Sequence, residues 1–249
     1  TKGVDPAPED PSNIASKILH ERGDLDQGFG EADSVVEREF TTKPVHQGYI
    51  EPHAAVADAN SDGRANLWCS SQGHFQMRAY TATVLGVSPG NIKVTAAEIG
   101  GGFGGKTVIY LEPLAVRLSQ RAGRPVKLVM DRDEVFRATG PTSGTRIKVK
   151  MGATKDGKMT AAEVWMAYEA GAYAGSPVGA AGMTAIACYD IPNFVVEGYD
   201  VVCNKPRVAA YRAPGAPMAA FAVESVVDEL ARNLEIDPNM DFLKAKGSS

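Results

Sequence analysis

The apolar positions of the 249-residue chain change period several times, and each change marks an element. Asp33–Thr42 (DSVVEREFTT) alternates closely enough to predict a strand. AAVADA and RANLWCS flank the turn Asn60-Ser61-Asp62-Gly63, which predicts a hairpin. From Gly73 to Leu85 the period becomes helical, with Phe75, Ala79, Ala82 and Leu85 expected on one face, Ser70 or Ser71 as the cap and Gly86 as the stop. SPGN (Ser88–Asn91) reads as a turn and IKVTAAEI as a strand. Leu111, Leu114, Ala115 and Leu118 fall at i, i+3, i+4 and i+7 and predict an amphipathic helix ended by Gly123, with Pro125 just beyond.

VKLVM predicts a buried strand, and TRIKVKM and MTAAEVWMAY predict two strands joined at Asp156-Gly157. Residues 171–192, rich in Gly, Ala and Pro, predict a close-packed loop with one short helix. FVVEGYDVVCN adds a strand, YRAPGAP a proline-stiffened turn, and Met218–Leu234 a helix whose apolar positions are Val223, Val226, Val227, Leu230 and Leu234. Residues 1–30, with Pro6, Pro8, Pro11 and several acids, read as a linker or surface arm, which leaves 31–249 as the folded domain. Strands and helices mix without strict βαβ alternation. The expected class is α+β, with mixed sheets, packed helices and two similar strand–loop–helix units.

Composition narrows the functions. Net charge is −4 and no basic stripe appears, which argues against nucleic acid as a partner. No apolar run of membrane-spanning length appears either. Cys69, Cys188 and Cys203 are odd in number and far apart, with no C-x-x-C. They predict buried, unreactive thiols in a reducing, cytoplasmic compartment rather than a disulfide or iron–sulfur framework. His20, His46 and His74 show no metal-ligand spacing, so no metal ligand set is expected from the protein. A chain that begins at Thr1 and ends KGSS is expected to be a piece of something longer.

The chemistry concentrates in GGGFGGKT (Gly100–Thr107). Placed between a strand and a helix, five glycines let backbone N–H groups approach an anion, and a helix N-terminus favours negative charge. Two anions fit. The run matches the phosphate-loop pattern G-x-x-x-x-G-K-[ST], with Lys106 on phosphates, Thr107 on magnesium and Asp131 at the next strand end as an acidic partner. Against that reading, about 90 residues of strands and helix precede the loop, and DRDE continues from Asp131 as a charged turn.

Three more stretches point elsewhere. EPHAAVA (Glu51–Ala57), WCSSQGH (Trp68–His74), GGGFGGK and AAYRAPGAPMAAFAVESVVDELA occur in this order, with DRDE after PVKLVM. Together they resemble the molybdenum-binding large subunit of the xanthine dehydrogenase/aldehyde oxidase family of molybdenum hydroxylases, over roughly residues 33–236 and as its first molybdopterin-binding lobe only. The resemblance implies a molybdopterin cofactor, with a cytosine dinucleotide form as one option, whose dithiolene holds the molybdenum without a protein ligand. It implies cofactor contacts from Gly101, Gly102, Phe103, Gly104 and Gly105, with Phe103 and Gly104 nearest the metal's oxygen ligands. It implies that the Gln72 amide donates to an oxo ligand and that Arg212 faces the substrate; both are therefore catalytic candidates as well as cofactor contacts.

The implied reaction is oxidative hydroxylation of an aldehyde or N-heteroaromatic substrate with water as oxygen source. The implied partners are a second molybdopterin-binding lobe carrying the base glutamate, and iron–sulfur and flavin (FAD) domains or subunits, with no nucleic acid and no membrane. Alone, the chain is expected to be inactive. Two departures matter: Thr107 stands where xanthine-oxidising members carry a glutamate, and Ala213 where carbon monoxide dehydrogenases carry a cysteine. Glu51 and His53, two positions apart, would share one face of a strand as an acid–base pair; the resemblance implies a structural role for that segment instead. A non-catalytic scaffold subunit of the same fold is the remaining alternative, and it would not need Gln72, the loop or Arg212.

Overall fold

In the computed structural model, residues 12–237 are described. In chain order the first elements are β1 (Ile14–Arg22), α1 (Leu25–Gly30), β2 (Ser34–Thr42), β3 (Ala54–Ala59), β4 (Ala65–Cys69), α2 (His74–Leu85) and β5 (Ile92–Thr95). There follow α3 (Glu112–Ala122), β6 (Val126–Val129), α4 (Arg132–Ala138), β7 (Thr145–Ala153), β8 (Met159–Gly171), α5 (Val178–Thr184), β9 (Asn193–Val202) and α6 (Ala216–Leu234). They belong to two compact units. Among the described residues, one comprises those up to Pro44, Ser143–Val208 and those from Ala213 on; the other comprises Val45–Thr142 with Ala209–Arg212. The α+β class expected from the sequence is the class observed.

The first unit is a five-stranded sheet in the order β1-β9-β8-β7-β2. β7 and β8 form the predicted antiparallel hairpin, whose turn has Gly157 at φ 81. β9 pairs parallel with β8 and antiparallel with β1. Along β7, Ile147, Val149 and Met151 are buried while Arg146 and Lys148 are exposed, so only one face meets the core. α6 covers that face with Ala222, Val223, Val226, Val227 and Leu230, as its helical spacing predicts. The alanines let the helix approach closely, and each fully buried Val or Leu contributes about 1.5–3 kcal/mol.

β1 corrects the expectation of a linker over residues 1–30: residues 14–22 pair with β9, from Ile14↔Val201 to Arg22↔Phe194, with one register shift between Ile14 and Ser16. It is an edge strand with eight of its nine residues exposed, so its sequence carries no burial pattern to detect. Asp24 then caps α1, accepting from Gln27 N at 3.1 Å. The part of the expected linker within residues 1–11 lies outside the described residues, as does the chain after Asp237.

The second unit carries a four-stranded sheet, β5-β4-β3-β6, with the predicted β3–β4 hairpin at its centre. IKVTAAEI supplies only four strand residues. Three local expectations are corrected. α2 starts at Gly73 without a side-chain cap, because Ser70 Oγ accepts from Ala54 N instead. α2 buries Met77, Thr81 and Ala82, and Phe75 is exposed. In α3 the buried stripe is Glu112, Ala115, Val116 and Ser119, the expected spacing moved by one residue, so Leu114 and Leu118 are exposed. The polar letters of Glu112 and Ser119 hid it: Ser119 Oγ accepts from Ala59 N and donates to Arg124 O, and Glu112 accepts from Tyr110 N.

Candidate functional site

The glycine loop lies between β5 and α3 but does not open directly onto the helix, which begins at Glu112. The N–H groups at that helix start are already served. The Glu112 carboxylate accepts from Tyr110 N at 2.7 Å, and Leu111 and Glu112 also donate to it. Burial raises the Glu112 pKa, partly offset by these donors. The helix terminus expected to hold an external anion is thus filled by an internal carboxylate.

Lys106 is the second correction. Its side chain is fully buried, its Nζ lies 2.7 Å from Glu51 Oε2 and 4.8 Å from the centre of the Tyr49 ring. Thr107 Oγ1 donates to Gly104 O at 2.8 Å. Asp131 is the N-cap of α4, and DRDE is its capping box: Asp131 Oδ1 accepts from Glu134 N at 2.7 Å while Glu134 Oε2 accepts from Asp131 N at 2.8 Å. None of the three residues that a phosphate-loop reading needs is presented to a nucleotide.

Gln72 and Arg212 both meet the loop. Gln72 Oε1 accepts from Gly104 N at 2.8 Å and Lys106 N at 3.2 Å, while Gln72 N donates to Lys106 O at 2.9 Å. Two donors fix the carboxamide oxygen inward, so its NH2 group points away from the loop. Arg212 N donates to Phe103 O at 2.8 Å. Beside it, Ala210 O accepts from Gln47 Nε2 at 2.9 Å, and Gln47 Nε2 also reaches Gly140 O at 3.2 Å.

The loop glycines answer to the protein itself. Gly104 has φ +102, and a Cβ there would lie 2.6 Å from Ala210 O; a Cβ at Gly102 would lie 2.6 Å from Gln72 Oε1. Phe103, half exposed, sits between them at φ 52. Among the described residues no hydrogen bond engages the N–H of Gly101, Gly102 or Phe103, and no acceptor engages the Arg212 guanidinium. What remains open on Gln72, on the loop and on Arg212 is a set of donors without an acceptor. That chemistry fits a ligand that presents oxygens or negative charge.

Glu51 and His53 do not pair with each other. Burial works against the charged form of Glu51, but the Lys106 ammonium and the Gly100 N–H outweigh it and hold the carboxyl below its usual range. His53 is buried, with Nε2 2.8 Å from Tyr49 Oη. Desolvation, aided by the Lys106 charge, lowers its pKa to about 4. A histidine held neutral in this way is no acid at neutral pH. Of the cysteines, Cys69 is buried, its thiol pushed up to about 12 by desolvation, whereas Cys188 is exposed and Cys203 partly so, against the expectation of three buried thiols; none forms a disulfide.

Sequence reasoning missed Gln47, Tyr49 and the pairing of Glu51 with Lys106. The only available signal was position, since Gln47, Tyr49 and Glu51 alternate in a short stretch just before β3. Among the described residues, no cluster of three His, Cys, Asp or Glu side chains is placed to hold a metal ion, and no helix is long and apolar enough to cross a membrane.

Comparison with known proteins gives the family. Residues 7–240 match the molybdopterin cofactor-binding domain family. The chain is similar to the nicotinate dehydrogenase large molybdopterin subunit of Eubacterium barkeri, 31% identical over 94% of this chain and 56% of that one. Among solved structures it resembles quinoline 2-oxidoreductase from Pseudomonas putida 86, with a TM-score of 0.84 and 28% identity over 91% of this chain and 30% of that one. It also resembles aldehyde oxidoreductase from Desulfovibrio gigas, with a TM-score of 0.79 and 30% identity over 91% of this chain and 25% of that one. The chain spans little more than half the length of the nicotinate dehydrogenase subunit and less of the others. It belongs to the molybdopterin cofactor-binding family, within the xanthine dehydrogenase/aldehyde oxidase group of molybdenum hydroxylases.

Proposed function

We propose that this chain is the first cofactor-binding lobe of a molybdenum hydroxylase that hydroxylates an aldehyde or N-heteroaromatic substrate oxidatively, with oxygen taken from water. The observation that carries the reading is the donor-only surface built by Gly101, Gly102, Phe103, Gln72 and Arg212 around one loop. The molybdenum cofactor, in its plain or cytosine dinucleotide form, supplies the two-electron oxidation when bound. The N–H groups of Gly101, Gly102 and Phe103 and the Gln72 NH2 group donate to its oxygens, and the loop backbone fixes their directions in advance. Arg212 orients the substrate, or stabilises negative charge that develops on it, through its planar guanidinium. Thr107, turned back onto Gly104 O, presents no carboxylate, so the proposed substrate is not a purine held as in xanthine-oxidising members.

The substrate class is supported by three similar proteins named for nicotinate, quinoline and aldehyde; others are named for xanthine or hypoxanthine, which are N-heteroaromatic as well. The proposed partners are a second molybdopterin-binding lobe and iron–sulfur and flavin domains, in a reducing, cytoplasmic setting. The test is turnover of the assembled enzyme in 18O-labelled water, with nicotinate, quinoline and benzaldehyde as probes. Product carrying the label from water, with molybdenum near one equivalent, is the expected result. Label taken from dioxygen, or no oxidation of any probe by molybdenum-loaded protein, would overturn the reading.

A further inference from the structure

One oxygen atom joins both ends of the glycine loop. Glu51 Oε2 accepts from Gly100 N at 2.8 Å, where the loop begins, and from Lys106 Nζ at 2.7 Å, where it ends. The backbone returns the contact, Glu51 N donating to Gly100 O at 3.2 Å. The approach is close enough that a Cβ at Gly100 would lie 2.6 Å from Glu51 Cβ. We propose that Glu51 and Lys106 are a positioning pair that sets the N–H donors of Gly101–Phe103 before any cofactor arrives.

The argument runs through charge and burial. A fully buried ammonium needs a counter-ion, and removing either partner would leave the other charge uncompensated. The Tyr49 ring supports the ammonium from another side. The Lys106 charge is cancelled where it lies, so the loop offers neutral backbone donors to its ligand, and the cation at the site is Arg212. Gln72 makes a second attachment, taking Gly104 N and Lys106 N on one oxygen. With Gly100, Gly104 and Lys106 held, the three N–H groups between them have little freedom left to lose when a ligand binds. What the loop holds rests on the proposed function; the attachment itself does not.

The experiment is amide hydrogen exchange over residues 100–107 in the assembled enzyme, made with cofactor and in a host that cannot make molybdopterin. Unaltered cofactor-free protein should already protect the hydrogen-bonded amides of Gly100, Gly104, Gly105 and Lys106. Glu51→Gln, isosteric and only a third exposed as a glutamate, should speed their exchange about tenfold and leave β3 and β4 unchanged. Lys106→Met should do the same, and the double variant should be no faster than either. In cofactor-loaded enzyme each single variant should lower the molybdenum retained per subunit after dialysis at least threefold. Unchanged loop exchange in Glu51→Gln overturns the proposal, even if Lys106→Met fails to fold. So does loosening spread equally over the whole unit, which would make the pair a general core contact. Wild-type enzyme that never holds molybdenum would instead sink the functional reading and leave the exchange result standing.

Discussion

Arg212 and Phe103 are joined by a backbone hydrogen bond of 2.8 Å in which both residues hold left-handed conformations, at φ 32 and 52. Non-glycine residues rarely adopt that region, and each instance costs about 1–3 kcal/mol unless its surroundings enforce it. Here the hydrogen bond ties the strained turn to the strained loop, and the guanidinium is carried on that tied backbone. Arg212→Met in the assembled enzyme should therefore leave the loop in place and remove a charged donor worth about 1.5–3 kcal/mol. The loss in kcat/KM should be larger for nicotinate than for a neutral aldehyde. Equal losses for both would assign the arginine to folding.

Gln72 has two tasks that substitution can separate. Gln72→Glu keeps an oxygen for Gly104 N and Lys106 N but loses the outward NH2, so thermal stability should hold while turnover falls. Gln72→Ala loses both, leaving two loop donors without a partner at about 1–3 kcal/mol for each that is buried. Differential scanning calorimetry beside steady-state rates would distinguish them; identical behaviour of the two variants would count against a donor role for the amide.

Gly104→Ala should damage the site more than its size suggests. The added methyl would meet Ala210 O at 2.6 Å in a backbone at φ +102. Strain of about 1–3 kcal/mol and overlap of similar size should lower the melting temperature and the molybdenum content together. Normal content in this variant would show that the loop's path is not fixed by the 209–212 segment.

Much of this could be read in the sequence, and the failures share a cause. That Gln72 and Arg212 belong with the loop was legible because each sits inside a local string of residues, and the structure brings the three together. Glu51 and Lys106 were not, because an ion pair across 55 positions leaves no local trace. β1 leaves no periodicity in the sequence, because it is an edge strand exposed on both faces. The α3 stripe was placed one residue early because Glu112 and Ser119 are buried polar residues satisfied by backbone partners, and apolar letters mark burial only in one direction. Asp131 looked like a strand-end acid, although its DRDE context already spelled a capping box.

Mg-ATP should not bind. With Lys106 enclosed against Glu51 and Thr107 bonded within the loop, neither residue reaches a phosphate. Isothermal titration should give no heat, and micromolar binding abolished by Lys106→Ala would contradict the site as described.

His53 makes a prediction about acid. Its folded pKa, about 4, lies below the usual 6.5 because burial and the nearby Lys106 charge disfavour the imidazolium. The unfolded chain therefore takes up a proton first as pH falls. Stability from this group is fully present above about pH 6.5 and is lost progressively down to about pH 4, by about 3 kcal/mol. Urea midpoints measured across that window should fall, and His53→Gln should flatten the slope. An unchanged slope would show that other groups govern the acid response.

The second unit is interrupted in sequence: all but four of its residues run from Val45 to Thr142, and Ala209–Arg212 follow some seventy residues later. At a synthesis rate of about 5–20 residues per second, those four trail the rest by roughly 4–14 s. A nascent chain thus contains the residues of β3, β4, α2, the glycine loop and the Glu51–Lys106 pair before those that carry Arg212 exist. In the first unit β1 likewise precedes its partner β9 by about 170 residues. Every ribosome-bound copy passes through a stage in which the glycine loop has been made and the residues that tie this surface at Ala210 and Arg212 have not, so those ties are among the last contacts of this surface that can form.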